Sequence, residues 1–318
     1  MEALKIKKLD DELKTFLSIF NPNLCLFCGT CAGGCPATGT PELEGLDVRK
    51  VLRMLSFGMI EEVVDSDFPW VCTGCGRCSY ACPMGIDIVS IMKKIKSMRP
   101  HDHVPGIMRK GIDEIFTASN NLSISKQDYS SLIQDLGREL AEAECPGFHS
   151  GSTYIYEYLI DLIKSGRIKL DKSVNSGKVF TWHDSCKHGR ELERYFGKGF
   201  YDEPRWIIEQ CVDDFVEMYP NRTNSFCCGA GGTMWSTLFE KQSSYYGRSK
   251  FESIKNTGAN IVVVACSKCH YQLMSRLPKY YTDYEYEVKY IWQLVAESLI
   301  IEPRSNTEIG RLGSDHAK

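Results

Sequence analysis

Apolar side chains in the first hundred residues recur at the three- and four-residue spacing of amphipathic helices. Leu and Phe side chains follow one side of residues 1–20, and residues 47–64 and 85–98 repeat apolar positions at the same spacing. A polar stretch at 119–127 then indicates a turn inside a further helical segment. The pattern predicts a helical domain over residues 1–100 and a helical connector over residues 101–150.

From about residue 151 short apolar runs alternate with amphipathic segments. The apolar runs predict strands at 178–182, 215–218, 260–265 and 286–288. The amphipathic segments predict helices at 154–163, 186–196, 204–212, 236–255, 267–276 and 290–299. Such alternation is typical of a parallel sheet covered by helices, with functional groups at the carboxyl ends of its strands. We therefore predict an α/β domain over residues 151–300 and, because periodicity is lost, a mobile tail over 301–318.

The composition fits a globular protein of two modest domains, with 318 residues, 43% hydrophobic and 25% charged. A formal net charge of −3, without a basic patch, gives no reason to expect nucleic acid as a partner. No apolar run approaches the length of a membrane span, since residues 261–265 fit a buried strand. Fifteen cysteines without a recognisable secretion signal indicate a cytoplasmic protein that binds metal rather than one built on disulfides.

Eight of the cysteines form two runs with the same spacing, Cys-x2-Cys-x2-Cys-x3-Cys-Pro. The runs are Cys25, Cys28, Cys31, Cys35 and Cys72, Cys75, Cys78, Cys82. In bacterial ferredoxins of this spacing, three thiolates of a run hold one [4Fe-4S] cluster and the fourth ligates the other. We therefore assign Cys25, Cys28, Cys31 and Cys82 to cluster 1, and Cys72, Cys75, Cys78 and Cys35 to cluster 2. Structural zinc is less favoured because tetrathiolate zinc sites usually consist of two separate Cys-x2-Cys pairs.

Five further cysteines follow predicted strands of the α/β domain, where we expect functional groups to meet. They are Cys186 after the first strand, Cys227 and Cys228 after the second, and Cys266 and Cys269 after the third. Glycines after Cys228 allow close approach of the backbone, whose N–H groups can hydrogen-bond to sulfur. Five soft ligands predict a third iron–sulfur centre, with an unusual cluster or one thiol left for chemistry. Unconnected core cysteines are the alternative.

The order Cys…Cys-Cys-Gly…Cys-x2-Cys resembles the cysteine-rich CCG domain of the heterodisulfide reductase B subunit. The two cysteine runs before it resemble the C subunit of the same enzyme. Joined in one chain, they are similar to the fused iron–sulfur subunits of heterodisulfide-reductase-like complexes. The resemblance implies an α-helical ferredoxin domain with two [4Fe-4S] clusters, followed by an α/β Rossmann-like CCG domain. It also implies a non-cubane [4Fe-4S] cluster, here cluster 3, on Cys186, Cys227, Cys228, Cys266 and Cys269.

Three features depart from the family pattern. The relatives carry two CCG domains, whereas this sequence has one, and Cys145 is the sole cysteine of the connector. The family run His-Asp-Pro-Cys-His is here His183-Asp184-Ser185-Cys186-Lys187. The spacings from Cys186 to Cys227 and from Cys228 to Cys266 are slightly long. Two facing non-cubane clusters cleave the disulfide in the archetype, so a single cluster favours one thiol partner at a time.

The leading functional hypothesis is an oxidoreductase subunit of a heterodisulfide-reductase-like complex. Electrons from a flavin- and iron–sulfur-containing partner would pass through clusters 1 and 2 to cluster 3. There a disulfide, or another sulfur–sulfur bond of a small thiol or sulfur-carrier protein, would be reduced. No glycine-rich dinucleotide loop follows a strand, so we expect the flavin on the partner. Two alternatives stay open: a non-catalytic electron relay, and the iron–sulfur subunit of a flavin-linked hydroxy-acid dehydrogenase.

Reduction of a sulfur–sulfur bond also needs protons. His183 and His270 lie next to cluster 3 ligands in the sequence, and we predict them as candidate proton donors. Lys187, His188 and Lys268 are less favoured candidates. Cys145 and Cys211 are predicted to be thiols without a metal role.

Overall fold

The computed structural model describes residues 15, 18–43, 45–104, 106, 109, 153–232, 234 and 240–300. Most of the predicted N-terminal helix, the connector with Cys145 and the tail therefore lie outside the described residues. Within the described part of the chain, no helix combines the length and the apolar character that crossing a membrane requires.

Short helices surround the two cysteine runs in the first domain. They are α1 (Thr30–Gly34), α2 (Val48–Ser56), α3 (Ile60–Asp65), α4 (Phe68–Val71), α5 (Arg77–Tyr80) and α6 (Ile88–Met98). The helical spacing predicted over residues 47–64 is divided between two helices, α2 and α3. Gly58, with φ of 76°, adopts the left-handed conformation that commonly follows a helix end. Asp47 caps the start of α2 by accepting a hydrogen bond from the backbone N–H of Lys50.

The core of this first domain includes side chains from the second domain. Val51, Leu52 and Ile91 are buried in it, and Met234 and Tyr246 from the other side of the connector belong to the same apolar cluster. The two halves of the chain are therefore packed against each other rather than joined by a linker alone.

The second domain has a three-stranded parallel sheet in the order β1 (Phe180–Trp182), β2 (Ile261–Val264), β3 (Glu287–Tyr290). Its helices are α7 (Thr153–Lys164), α8 (Leu192–Phe196), α9 (Asp202–Cys211), α10 (Glu240–Lys255), α11 (Ser267–Tyr271), α12 (Leu277–Tyr280) and α13 (Ile291–Glu297). π-helical turns at Lys187–Glu191 and Gln272–Arg276 lead into α8 and α12. The parallel α/β architecture predicted from the alternating pattern is confirmed.

The strand predicted at 215–218 is wrong. Phe215 makes only an isolated parallel bridge with Phe180, through the hydrogen bonds Phe180 N–H to Asp214 O (2.9 Å) and Val216 N–H to Phe180 O (2.8 Å). Val216 and Glu217 are exposed, so this segment lacks the buried face that would hold a longer strand in register. By contrast, β2 is buried along its whole length, as expected for the central strand of a covered parallel sheet.

Candidate iron–sulfur sites

The four cysteines assigned to cluster 1 border one cavity. Cys25, Cys28, Cys31 and Cys82 all line it, although Cys82 comes from the second run. Polar groups contact two of these sulfurs: the backbone N–H of Phe27 lies 3.4 Å from Cys25 Sγ, and Thr30 Oγ1 lies 3.3 Å from Cys28 Sγ. The fold therefore brings together the crosswise set expected for the first cubane.

The second crosswise set lines a separate cavity. Cys35 from the first run borders it together with Cys72, Cys75 and Cys78. Burial raises the pKa of Cys35, of Cys72 and of Cys78 above the ordinary thiol value. Since metal ligands must be thiolates, binding of iron here has to displace these protons. Ligation of iron by either set stays a prediction, which this grouping supports.

The cavity of the first set lies at an open face of the molecule, here named the cluster 1 face. Its exposed apolar side chains are Leu26, Phe27 and Met84, which line the cavity, Phe57, which shares Arg53 with Phe27, and Leu24, which precedes Cys25 in the chain. Leu26 is 63% and Phe57 is 61% exposed, and Cys28 itself is exposed. The guanidinium of Arg53 lies 5.6 Å from the ring centres of both Phe27 and Phe57. An apolar surface with a positive charge therefore surrounds the sulfurs of the first set.

The third group of cysteines meets at the carboxyl ends of β1 and β2. Cys186 follows β1 and Cys266 follows β2, while Cys227 and Cys228 come from a loop that packs on α10. A Cβ on Gly229 would collide with the carbonyl oxygen of Ser243 on α10, so glycine permits this packing.

Four of the five sulfurs of this group, those of Cys227, Cys228, Cys266 and Cys269, interact with one another. Cys228 Sγ lies 3.3 Å from Cys269 Sγ. Hydrogen bonds from Cys227 and Cys269 lower the pKa of Cys228 well below its ordinary value, and the hydrogen bond from Cys269 lowers the pKa of Cys266 to about 5. Several thiols in contact, some of them favoured as thiolates, form a donor set suited to iron. None of the fourteen described cysteines is in a disulfide.

The loop that contains Cys72 and Thr73 packs directly against the loop over residues 227–232, here named the CCG loop. A Cβ on Gly231 would collide with the carbonyl oxygen of Thr73, and one on Gly232 would lie 2.8 Å from the carbonyl oxygen of Cys72. Across this contact Cys227 Sγ lies 3.8 Å from Thr73 Oγ1, and the thiol of Cys227 raises the pKa of Cys75. The second and third groups of cysteines are therefore neighbours, whereas the cavity of the first group is lined only by residues of the first domain.

A buried ion pair fixes the loop between β1 and Cys186. Arg205 on α9 donates two hydrogen bonds of 2.9 Å to the two carboxylate oxygens of Asp184. The indole N–H of Trp182 (3.0 Å) and the backbone N–H of Arg222 (2.6 Å) also donate to this carboxylate. Although burial raises the pKa of Asp184, the bonds from Arg205 outweigh burial and lower it below its ordinary value. Nothing in the sequence signals Arg205 as the partner.

The two predicted proton donors have different surroundings. His183 is 1% exposed, and both ring nitrogens lack a hydrogen-bond partner among the described residues. One of its ring nitrogens lies within 4.8 Å of the sulfurs of Cys228 and Cys269, and burial lowers its pKa well below the ordinary value. His270 is half-buried and stacks on Tyr290 at 4.1 Å. The structure thus brings His183 into the site, and proton donation by either residue stays a prediction.

The remaining candidates lie apart from sulfur or are committed elsewhere. His188 shares a 2.8 Å hydrogen bond with the hydroxyl of Tyr156, and burial lowers its pKa to about 4. Lys187 pairs with Glu191. Cys211 is buried in the apolar core on one side of the sheet. Sequence reasoning missed Arg190 and Lys250, two buried cations beside the third group, because neither belongs to a recognisable motif.

Comparisons with known proteins give two family matches. Residues 24–87 match the 4Fe-4S dicluster domain, and residues 180–274 match the cysteine-rich domain named CCG. A dicluster domain implies two [4Fe-4S] clusters, and the CCG cysteines suggest another.

Curated relatives carry the same parts. The D subunit of dihydromethanophenazine:CoB–CoM heterodisulfide reductase from Methanosarcina mazei is 29% identical over 64% of this chain and 44% of its own length. The iron–sulfur C subunit of CoB–CoM heterodisulfide reductase from Methanopyrus kandleri is 34% identical over 25% of this chain and 40% of its own. Iron–sulfur subunit 2 of an Hdr-like menaquinol oxidoreductase from Archaeoglobus fulgidus is 33% identical over 34% of this chain and 18% of its own. The chain thus spans less than half the length of these relatives.

Proposed function

We propose a function from the premise that this chain is a heterodisulfide-reductase-like iron–sulfur protein with a 4Fe-4S dicluster domain and a CCG cysteine-rich domain. In this proposal the chain is the iron–sulfur subunit of a redox complex. It takes electrons from a flavin- and iron–sulfur-containing partner and delivers them to a sulfur–sulfur bond at the CCG cysteines. The clusters, when bound, would act as one-electron carriers whose reduction potentials depend on their surroundings.

The observation that carries this proposal is the contact between the second cysteine run and the CCG loop. Gly231 and Gly232 let the CCG loop approach the carbonyl groups of Cys72 and Thr73, and Cys227 Sγ lies 3.8 Å from Thr73 Oγ1. Adjacent ligand loops favour electron transfer between the two centres that they would hold.

The cluster 1 face supports the docking of a protein partner at the cluster 1 end of the chain, away from the CCG cysteines. Residues 20–34 and 79–86, which form most of this face, contain no charged side chain. The cations next to it are Arg53, which contacts two of its rings, and Arg49, which lies beside Gly29. An exposed apolar surface with a basic edge is typical of a binding site for a protein with an acidic rim. The redox partner would dock here, next to the exposed thiol of Cys28.

Two cysteines of the third group offer an approach for substrate. Cys186 and Cys266 are half-buried, whereas Cys227, Cys228 and Cys269 are buried. A small thiol or disulfide would therefore come from the side of Cys186 and Cys266. The same burial of three cysteines also supports the second candidate function, an electron relay without a substrate of its own.

Addition of a thiol to the oxidised protein separates these two functions. We expect candidate thiols, added anaerobically, to change the EPR signal of the third centre while the signals of the two cubanes stay as they were. The physical reason is that only the third group combines a fifth thiol with partial exposure. An EPR spectrum that no thiol changes would favour the relay and count against sulfur reduction by this chain.

A further inference from the structure

Lys250 is buried beside the third group of cysteines without an anionic partner. It lies on α10, is 0% exposed, and its Nζ contacts the thioether of Met218 at 3.6 Å. A thioether is a weak acceptor without charge. Buried charges in proteins are paired with an opposite charge or lie at a metal site. The cation of Lys250 therefore requires an anion close to it.

The carboxylate of Asp184 acts on Lys250 through its charge but is bonded to other groups. Asp184 is already bound through both oxygens by Arg205 and receives further hydrogen bonds from Trp182 and Arg222. Among the described residues, no carboxylate lies within salt-bridge distance of Lys250 Nζ. Burial and the charge of Arg190 lower the pKa of Lys250 to about 8, whereas the carboxylate of Asp184 and then the thiolates of Cys228 and Cys269 favour its charged form. Since both oxygens of Asp184 are bound by Arg205, sulfur supplies the further negative charge near Lys250.

Arg190 is a second buried cation and lies between the second and third groups of cysteines. It is 3% exposed; its Nε donates to the carbonyl oxygen of Cys75 (2.9 Å) and its Nη1 to that of Ser225 (2.8 Å). Its Nη2 has no partner in the described part of the chain. Its charge acts on the thiols of both Cys75 and Cys186. A guanidinium with one unused edge therefore faces the region between the two sites.

His183 completes this set of unused nitrogen donors. Its two ring nitrogens have no partner within the described ranges, and one of them lies within 4.8 Å of the sulfurs of Cys228 and Cys269. If one nitrogen ligated iron, the other N–H would remain buried without an acceptor, whereas metal-bound histidines normally donate that N–H to the protein. If the ring N–H instead donates to a sulfur of the site, no buried N–H of His183 is left without an acceptor.

We propose that Lys250 and Arg190 are fixed counter-charges for the iron–sulfur centre of the CCG cysteines, and that His183 donates its ring N–H to one of its sulfurs. The inference rests on the proposed function in that the CCG cysteines must bind a cluster. Thiolate-bound clusters gain negative charge on reduction, so a nearby cation favours the reduced form and raises the potential. Removal of one cation must lower that potential.

The variant Lys250→Met tests this proposal, because methionine keeps the apolar stem and removes the charge. In an EPR-monitored redox titration of the anaerobic protein, we expect the ratio of reduced to oxidised third centre at a fixed potential to fall at least about tenfold, or about 59 mV for a one-electron couple. The potential of the first cubane should stay unchanged. The apo-protein of the variant should melt at a higher temperature than wild-type apo-protein, because an unpaired buried charge is gone.

The control is Lys255→Met, on the same helix but at the surface, where Lys255 pairs with Asp283. This variant should leave the potential of the third centre unchanged. Lys250→Met with full iron content and an unshifted potential would overturn the proposal, as would a lower melting temperature of its apo-protein. Selective loss of the third centre's iron from a more stable apo-protein would support it. Wild-type protein without a third centre would instead overturn the proposed function, and iron content shows this before any variant is made.

Discussion

Replacement of both Cys227 and Cys228 by alanine is expected to remove about four of about twelve irons per chain, since each [4Fe-4S] cluster holds four. Both sulfurs belong to the third group: Cys228 Sγ lies 3.3 Å from Cys269 Sγ, and the thiol of Cys228 raises the pKa of Cys227. Three remaining thiols are too few for a cluster that uses four or five. Iron analysis together with EPR of the reduced protein measures the loss, and both cubane signals should remain.

The matched control for this variant is Cys211→Ala. Cys211 is also a buried thiol of the second domain, but it lies in the apolar core and its backbone carbonyl accepts from the side chain of Asn175. Its replacement should leave the iron content unchanged. If the double variant kept all of its iron, or if Cys211→Ala lost iron to the same extent, the assignment of the third group would be wrong.

Substitution of Asp184 by asparagine is expected to lower the free energy of unfolding by about 1.5–3 kcal/mol, the usual contribution of a hydrogen bond to a charged group. The guanidinium of Arg205 would lose the carboxylate on its buried side and keep its pair with the more exposed Glu217. Urea denaturation of the apo-protein, followed by circular dichroism, measures this change. The loop that carries His183 and Cys186 should be the first part to lose order.

The control here is Asp202→Asn, which removes an exposed pair with Arg222 and should cost less than about 1 kcal/mol. The two variants should also differ in pH dependence. The folded-state pKa of Asp184 is below its unfolded value, so its contribution is present above about pH 4 and is lost as pH falls through the folded pKa. Asp184→Asn should lack this acid-dependent loss. Equal stability of the two asparagine variants would contradict the structural role of Asp184.

Cysteine spacing predicted the candidate sites more completely than hydrophobic periodicity predicted the elements. The spacing Cys-x2-Cys-x2-Cys-x3-Cys demands a crosswise partner, and the structure accordingly places Cys82 and Cys35 beside the opposite runs. Hydrophobic periodicity predicted the parallel sheet, but it also predicted a strand at residues 215–218. There Val216 is exposed and Phe215 forms only an isolated bridge. Hydrophobic periodicity also did not separate α2 from α3, because a single glycine in the left-handed conformation leaves the apolar pattern uninterrupted.

The charged groups around the third site could not be predicted in the same way. Arg205 reaches Asp184 from another helix, and Lys250 reaches the site from the middle of α10, so no local spacing reveals either residue. The importance of Gly231 and Gly232 likewise depends on a loop about 160 residues earlier in the chain. Such roles follow from tertiary contacts, which composition and periodicity do not contain.

The most direct test of the account is the iron content and Mössbauer spectrum of the wild-type chain purified without oxygen. The account predicts about twelve irons per chain, of which about one third gives a spectrum distinct from that of the two cubanes. About eight irons, all of cubane type, would mean that the CCG cysteines bind no cluster and would contradict the central claim.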